Sequence, residues 1–213
     1  MALTTVKSIL KDHSVVVLGS APLSEEAKAF LVSSDSCSMV CVNGAISSTS
    51  RPVDLWVLNS REYDQAIYLN PKLWTDERKR LHEIMMGQAT GRAVRHILFM
   101  LKNDRPDQTI SRLQTAGVKW RAYTTLNMGQ KTDLVRKAGV HKFATAFNTS
   151  AGLAAAALAL AFKADKVTLT GFSFQDGYQY LPDAPQGHRL HIEQDKEALE
   201  DLLLKHDNRL QVI

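Results

Sequence analysis

Apolar residues along this chain gather in short β-branched runs separated by longer stretches of helical spacing, and that alternation sets the reading of its fold. Ser14-Val-Val-Val-Leu-Gly19 predicts a strand stopped by glycine. Glu25-Glu-Ala-Lys-Ala-Phe-Leu31 predicts the helix that follows, with Ser24 as its N-cap and two glutamates in the first turn, where the helix dipole favours negative charge. Ser38 to Asn43 and Val53 to Asn59 predict two further strands, each closing on an asparagine. A helical pattern over about 75–86 precedes a glycine-rich break at Gly87 and Gly91 and the strand His96 to Leu101; Asn103 to Asp107 is loop chemistry. A helix over about 108–116 halts at Gly117 and leads into the strand Val118 to Tyr123. The pattern is least legible over 124–142, where a short helix at about 132–138 ends at Gly139. The remainder predicts an alanine-rich helix from Ala151 to Phe162, a strand from Lys166 to Gly171, a polar loop over 173–189, a helix over about 192–205 and a terminal strand from Leu210 to Ile213.

Strands alternating with helices predict an α/β, Rossmann-like fold with a mostly parallel sheet and helices on both faces. The 213 residues, 45% of them hydrophobic, suit one compact unit spanning 1–213. The net charge of +4 and pI near 9.1 favour an anionic ligand, but 26 basic against 22 acidic side chains is a weak sign of nucleic acid. Glu77-Arg-Lys-Arg80, the most basic run, reads as the solvated face of a helix. Cys37 and Cys41 read as reduced, buried thiols rather than a disulfide framework. The N-terminal segment lacks a long apolar core, and Ala151 to Phe162 falls short of the ~20 residues a transmembrane helix needs, so a cytoplasmic location is expected.

Several chemistries lose support by their missing motifs. The turn Gly19-Ser-Ala-Pro is not GxGxxG, and GxxxxGK, GxSxG and Asp-x-Asp are absent. His, Asp and Glu show no zinc spacing, and a metal-free mechanism without a cofactor is expected. Asn148-Thr-Ser-Ala-Gly152 is a polar loop feeding a helix N-terminus next to a strand's end, a place where free N–H groups and the dipole receive an anion. Asn43, Asn59, Ser150, Gln175, Tyr178, Tyr180, His188 and His191 all stand at strand ends or in the loop that would share this rim. His191 opens the last helix, and an imidazole near its ordinary pKa of ~6.5 suits general base work. Each residue type also has an ordinary structural use: asparagine in turns, tyrosine packing a loop, histidine at an exposed helix start.

These residues resemble the sialyltransferases, both the animal and the small bacterial type. Val15-Val-Val-Leu-Gly19 through Val42-Asn-Gly-Ala45 is similar to the family's first long motif, and Thr149-Ser-Ala-Gly152 through Asp165-Lys-Val and Gly171-Phe172 to its second. Val57-Leu-Asn59, Gly177-Tyr-Gln-Tyr180 and His191 resemble the bacterial enzymes' ligand-binding asparagine, tyrosine loop and helix-opening histidine. Ser20 stands where the family carries asparagine, Ala151 where it often has a hydroxyl, and Gln175 near a second tyrosine position. The resemblance implies metal-independent, inverting transfer of a sugar from a nucleotide-sugar, in the family CMP-sialic acid, to an acceptor hydroxyl. His191 would be the base, with His188 competing. Tyr178 and Tyr180 would donate to the leaving phosphate, and Gly19, Ser20, Asn43, Asn59, Ser150, Ala151, Gly152 and Gln175 would line the donor site. The acceptor is a glycan or another hydroxyl-bearing molecule, and the basic pI admits a modified nucleic acid base. Two other readings stand beside it: pyrophosphate transfer on a related Rossmann-like scaffold, with magnesium held by carboxylates, and a non-catalytic nucleotide- or nucleic-acid-binding module.

Overall fold

The structure is a computed structural model describing residues 2–59, 89, 91–101, 106–174 and 191–213. Its strands are β1 Ser14–Leu18, β2 Ser38–Val42, β3 Val53–Asn59, β4 Ala93–Leu101, β5 Lys119–Asn127, β6 Lys166–Thr170 and β7 Leu210–Val212. Among the described residues these form one sheet in the order β5-β4-β3-β2-β1-β6-β7, with every pair parallel. The helices are α1 Ala2–Leu10, α2 Glu25–Ser33, α3 Asp107–Thr115, α4 Met128–Ala138, α5 Phe143–Asn148, α6 Ala151–Ala161 and α7 Ile192–Lys205, with a 3-10 turn at Asn43–Ser48.

Alternation along β1 shows how the layers form. Val15 and Val17 enter a core shared with α1, α4, α6 and α7, whereas Val16 and Leu18 enter a second core with α2, the 3-10 turn and α3. The sheet is therefore buried on both faces, as the near-continuous apolar runs of a parallel sheet require. Helix α6 is apolar all round, and every residue from Gly152 to Leu160 is buried. Its small alanines let it pass close over the sheet. Ser150 caps its start by accepting from the Leu153 N–H. Its end is a Schellman turn, in which the N–H groups of Lys163 and Ala164 bond the carbonyls of Leu160 and Ala159. Lys163 takes the left-handed position there, with φ 65°.

The expected Rossmann-like architecture is present, and Ser24 caps α2 through the Ala27 N–H at 3.0 Å. Four local features differ from expectation. Helix α1 forms although its pattern predicts none, because Val6, Ile9 and Leu10 bury one face of it and outweigh its paired threonines. Helix α4 starts at Met128 rather than near residue 132, held by a capping box between Asn127 and Gln130. Strand β5 runs on to Asn127 as β4 pairs with it as far as Leu101. Helix α5 fills part of the stretch that reads as irregular. The helix expected over 75–86, the basic run at 77–80, Gly87, Asn103, Asp104, Arg105 and most of the polar loop, 175–189, lie outside the described residues. Among the described residues no helix is long and apolar enough to cross a membrane. Both cysteines are free thiols; Cys41 is buried, which pushes its pKa up to about 12.

Candidate active site at the switch point of the sheet

Chain order reverses at β1: β2 through β5 lie to one side of it, β6 and β7 to the other. In open α/β sheets the crevice outside the strands' carboxyl ends at such a reversal is where ligands bind. Here the β1 and β6 ends continue past the strands in close contact. The Gly19 N–H bonds Thr170 O and the Ala21 N–H bonds Gly171 O, both at 2.8 Å. A Cβ on Gly19 would lie 2.4 Å from the Gly171 carbonyl oxygen, and one on Gly152 would lie 2.6 Å from Cε1 of Phe172. The Phe172 ring thus sits against both glycines, tying the β1 turn, the β6 turn and the start of α6 into one rim. Ser20, partly exposed, follows Gly19 on that rim.

Asn43 and Asn59 meet each other at the ends of β2 and β3. Asn43 holds a left-handed backbone, φ 47°, which asparagine tolerates better than most residues. Its side-chain carbonyl accepts from the Asn59 N–H at 3.0 Å, and its backbone carbonyl accepts from Trp56 Nε1 at 2.9 Å. The structural role is therefore filled by Asn43's two oxygens, and among the described residues its side-chain NH2 is the group left for a ligand.

The third cluster joins α4, the α5–α6 turn and α7. The Ser150 N–H donates to Asp195 Oδ1 at 2.8 Å. Asp195 stands four residues beyond His191, and its own N–H bonds the His191 carbonyl at 2.8 Å. Burial pushes the Asp195 carboxyl above its ordinary range, opposed by hydrogen bonds from Ser150 and by the charges of His191 and Lys131. Lys131, 5% exposed, donates to the carbonyls of Phe147 at 2.9 Å and Thr149 at 2.5 Å. Those two bonds close the end of α5 and shape the turn that presents Ser150. With Leu153 capped and Ala154 bonded to Ser150 O, the amides of Ala151 and Gly152 are the α6 N–H groups lacking an intrahelical acceptor.

A groove of about 550 Å³ between α5 and α7 is a different place. It is lined on α7 by Glu193, Lys196, Glu197 and Glu200, the helix face opposite that of Asp195, Ala198 and Leu202. Glu197 there binds Lys142 and Thr145 and so holds α5 to α7.

Of the residues singled out in the sequence, Gly19 and Gly152 converge through Phe172, while Ser150 and His191 are both bonded to Asp195, Ser150 through the carboxylate and His191 through its backbone carbonyl. Ser20 and Ala151 adjoin them, and Asn43 with Asn59 form a separate pair two strands along. Gln175, Tyr178, Tyr180 and His188 lie outside the described residues. Asp195 and Lys131 are absent from the sequence reading. Asp195 had one signal, its i+4 spacing from His191; Lys131, in Gly129-Gln-Lys-Thr-Asp133, had none. Among the described residues no three His, Cys, Asp or Glu side chains gather as metal ligands.

The backbone is similar to those of bacterial sialyltransferases. Cst-I, a monofunctional alpha-2,3-sialyltransferase from Campylobacter jejuni, matches with a TM-score of 0.49 and 12% identity over 94% of this chain and 75% of that chain. The sialyltransferase CstII from the same organism, in complex with the substrate analogue CMP-3FNeuAc, matches with a TM-score of 0.47 and 16% identity over 93% and 79%. No protein-family model matches the chain, and no curated protein matches it by sequence.

Proposed function

We propose that the protein is a metal-independent, inverting glycosyltransferase that moves a sugar from a nucleotide-sugar, sialic acid from CMP-sialic acid in the first instance, to an acceptor hydroxyl. The observation that supports the reading is the meeting at the switch point of a glycine-lined turn and a helix N-terminus, to which Asp195 ties the start of the helix that His191 opens. The motif resemblance supplies the donor class. The amides of Ala151 and Gly152 and the α6 dipole would face the donor phosphate, since both favour negative charge at that position. Asn43 and Asn59 would hold the nucleotide and sugar. Tyr178 and Tyr180 would donate to the phosphate as its bond to the anomeric carbon breaks.

His191 would take the acceptor's proton as the hydroxyl oxygen bonds the anomeric carbon through an oxocarbenium-like transition state. Attack from the face opposite the departing phosphate inverts the centre. His188 remains the alternative base, and an acceptor other than a glycan stays within the reading.

The test is a nucleotide-sugar panel, CMP-sialic acid first, assayed for donor cleavage and transfer in EDTA with the parent chain and His191→Ala. Cleavage in EDTA that falls by ~10²-fold or more in the variant is expected, the usual worth of a general base. Strict magnesium dependence would overturn the metal-independent reading and point to pyrophosphate transfer, and nucleotide binding without turnover of any donor would point to a binding module.

A further inference from the structure

Asp195 has a position that the proposed chemistry does not itself require. It lies in the first turn of α7, yet its carboxylate turns from solvent to take the Ser150 N–H at 2.8 Å, across 45 residues of sequence. That N–H belongs to the turn whose next two amides are the ones open to a phosphate. A carboxylate so close to an anion site repels a phosphate unless positive charge balances it. Lys131 supplies that charge from α4, buried and anchored on Phe147 O and Thr149 O, while His191, one turn earlier on α7, takes the Asp195 N–H on its backbone carbonyl. Ser150 completes the surroundings from the α5–α6 turn, and Glu193 on the same helix is exposed to solvent.

We propose that Asp195 is the positioning residue of this site: its carboxylate fixes the His191 imidazole and the Ser150 turn relative to each other, with Lys131 as the buried counter-charge. The Asp195 carboxylate takes the N–H of the phosphate-binding turn while its own N–H bonds the His191 carbonyl, so this one residue bridges the turn and the start of the helix that carries the base. Its negative charge also favours the imidazolium that forms when His191 accepts a proton. Asp195 itself keeps its ionisation state and transfers nothing. The proposal rests on the transferase reading only in naming His191 the base.

The experiment reads the coupling without substrate. Imidazole 1H–13C signals are titrated in the parent chain and in Asp195→Asn, His191 being assigned by its loss in His191→Gln. The His191 midpoint is expected to fall by ~1 pH unit in Asp195→Asn. Coupling is reciprocal, so the Asp195 side-chain 13C midpoint in the parent is compared with that in His191→Gln and is expected to rise. This second arm decides the matter if Asp195→Asn does not fold. Unmoved midpoints in folded proteins overturn the positioning role. A chain that turns over no donor yet shows the coupling overturns the transferase reading alone; active transfer with uncoupled residues overturns only the role of Asp195.

Discussion

His96 lies inside the sheet on β4, 2% exposed, with Nε2 against Thr124 Oγ1 at 2.8 Å and Nδ1 without a hydrogen-bond partner among the described residues. Burial, with the charge of Arg95, holds its pKa below the ordinary 6.5. The folded chain therefore binds fewer protons than the unfolded chain in the window beneath that value. What His96 contributes to stability is complete above about pH 6.5 and is lost as pH falls through and below it. Unfolding free energy from denaturant titration should fall between pH 7 and pH 5, by at most ~1.4 kcal/mol per pH unit for this one group. His96→Gln should flatten that slope; an equally steep slope in the variant would mean that other groups carry it. The residue scale also shows why Asp195 was hidden. In Glu193-Gln-Asp-Lys196 it looks like one more solvated residue of a helix start, and its burial depends on Ser150, far away in sequence.

At the scale of the element, α6 and β6 were the most legible pieces. The helix expected over Ala151 to Phe162 ends one residue earlier, and the strand expected over Lys166 to Gly171 is Lys166–Thr170, because apolar composition and length decided both. Helices α1 and α5 were illegible for a physical reason. Neither carries a strong pattern over enough residues, and each is held by what packs on it: the sheet on α1, and α4 with α7 on α5. The candidate site divides in the same way. Gly19, Gly152 and His191 sit at punctuation that sequence reveals, whereas the Lys131 and Asp195 contacts are made only in three dimensions. The end of α6 carries a testable strain. Lys163 at φ 65° incurs roughly 1–2 kcal/mol that glycine would not, set against ~0.4–1 kcal/mol of added freedom in the unfolded chain. Lys163→Gly should be net stabilising by about 0.5–1 kcal/mol, a rise in Tm of ~1–4 °C for a chain of this size. A lower Tm would show that the lysine side chain contributes a contact worth more than the strain.

Across the whole molecule, the switch point does two jobs with one strand. β1 separates the two groups of strands, and its end supplies Gly19 to the rim. The alternation of strand and helix in the sequence was enough to foresee a parallel sheet, but strand order is set by which edges remain open as the chain returns, which no local pattern encodes. That placement has a consequence for synthesis. β1 is made before β2 and long before β6; one of its edges pairs with β2 within a few dozen residues, but the other waits for Lys166–Thr170. Until then, Ser14–Leu18 offers unpaired N–H and C=O groups flanked by valines, a template for joining another nascent chain. Chains released after Asp165 should therefore sediment as aggregates in a translation extract, while chains reaching Ile213 stay in the supernatant. Equal sedimentation of the two would mean that the open edge is masked in some other way. The rim proposed to bind the nucleotide-sugar is thus also a seam that stays open until β6 is made, long after β1.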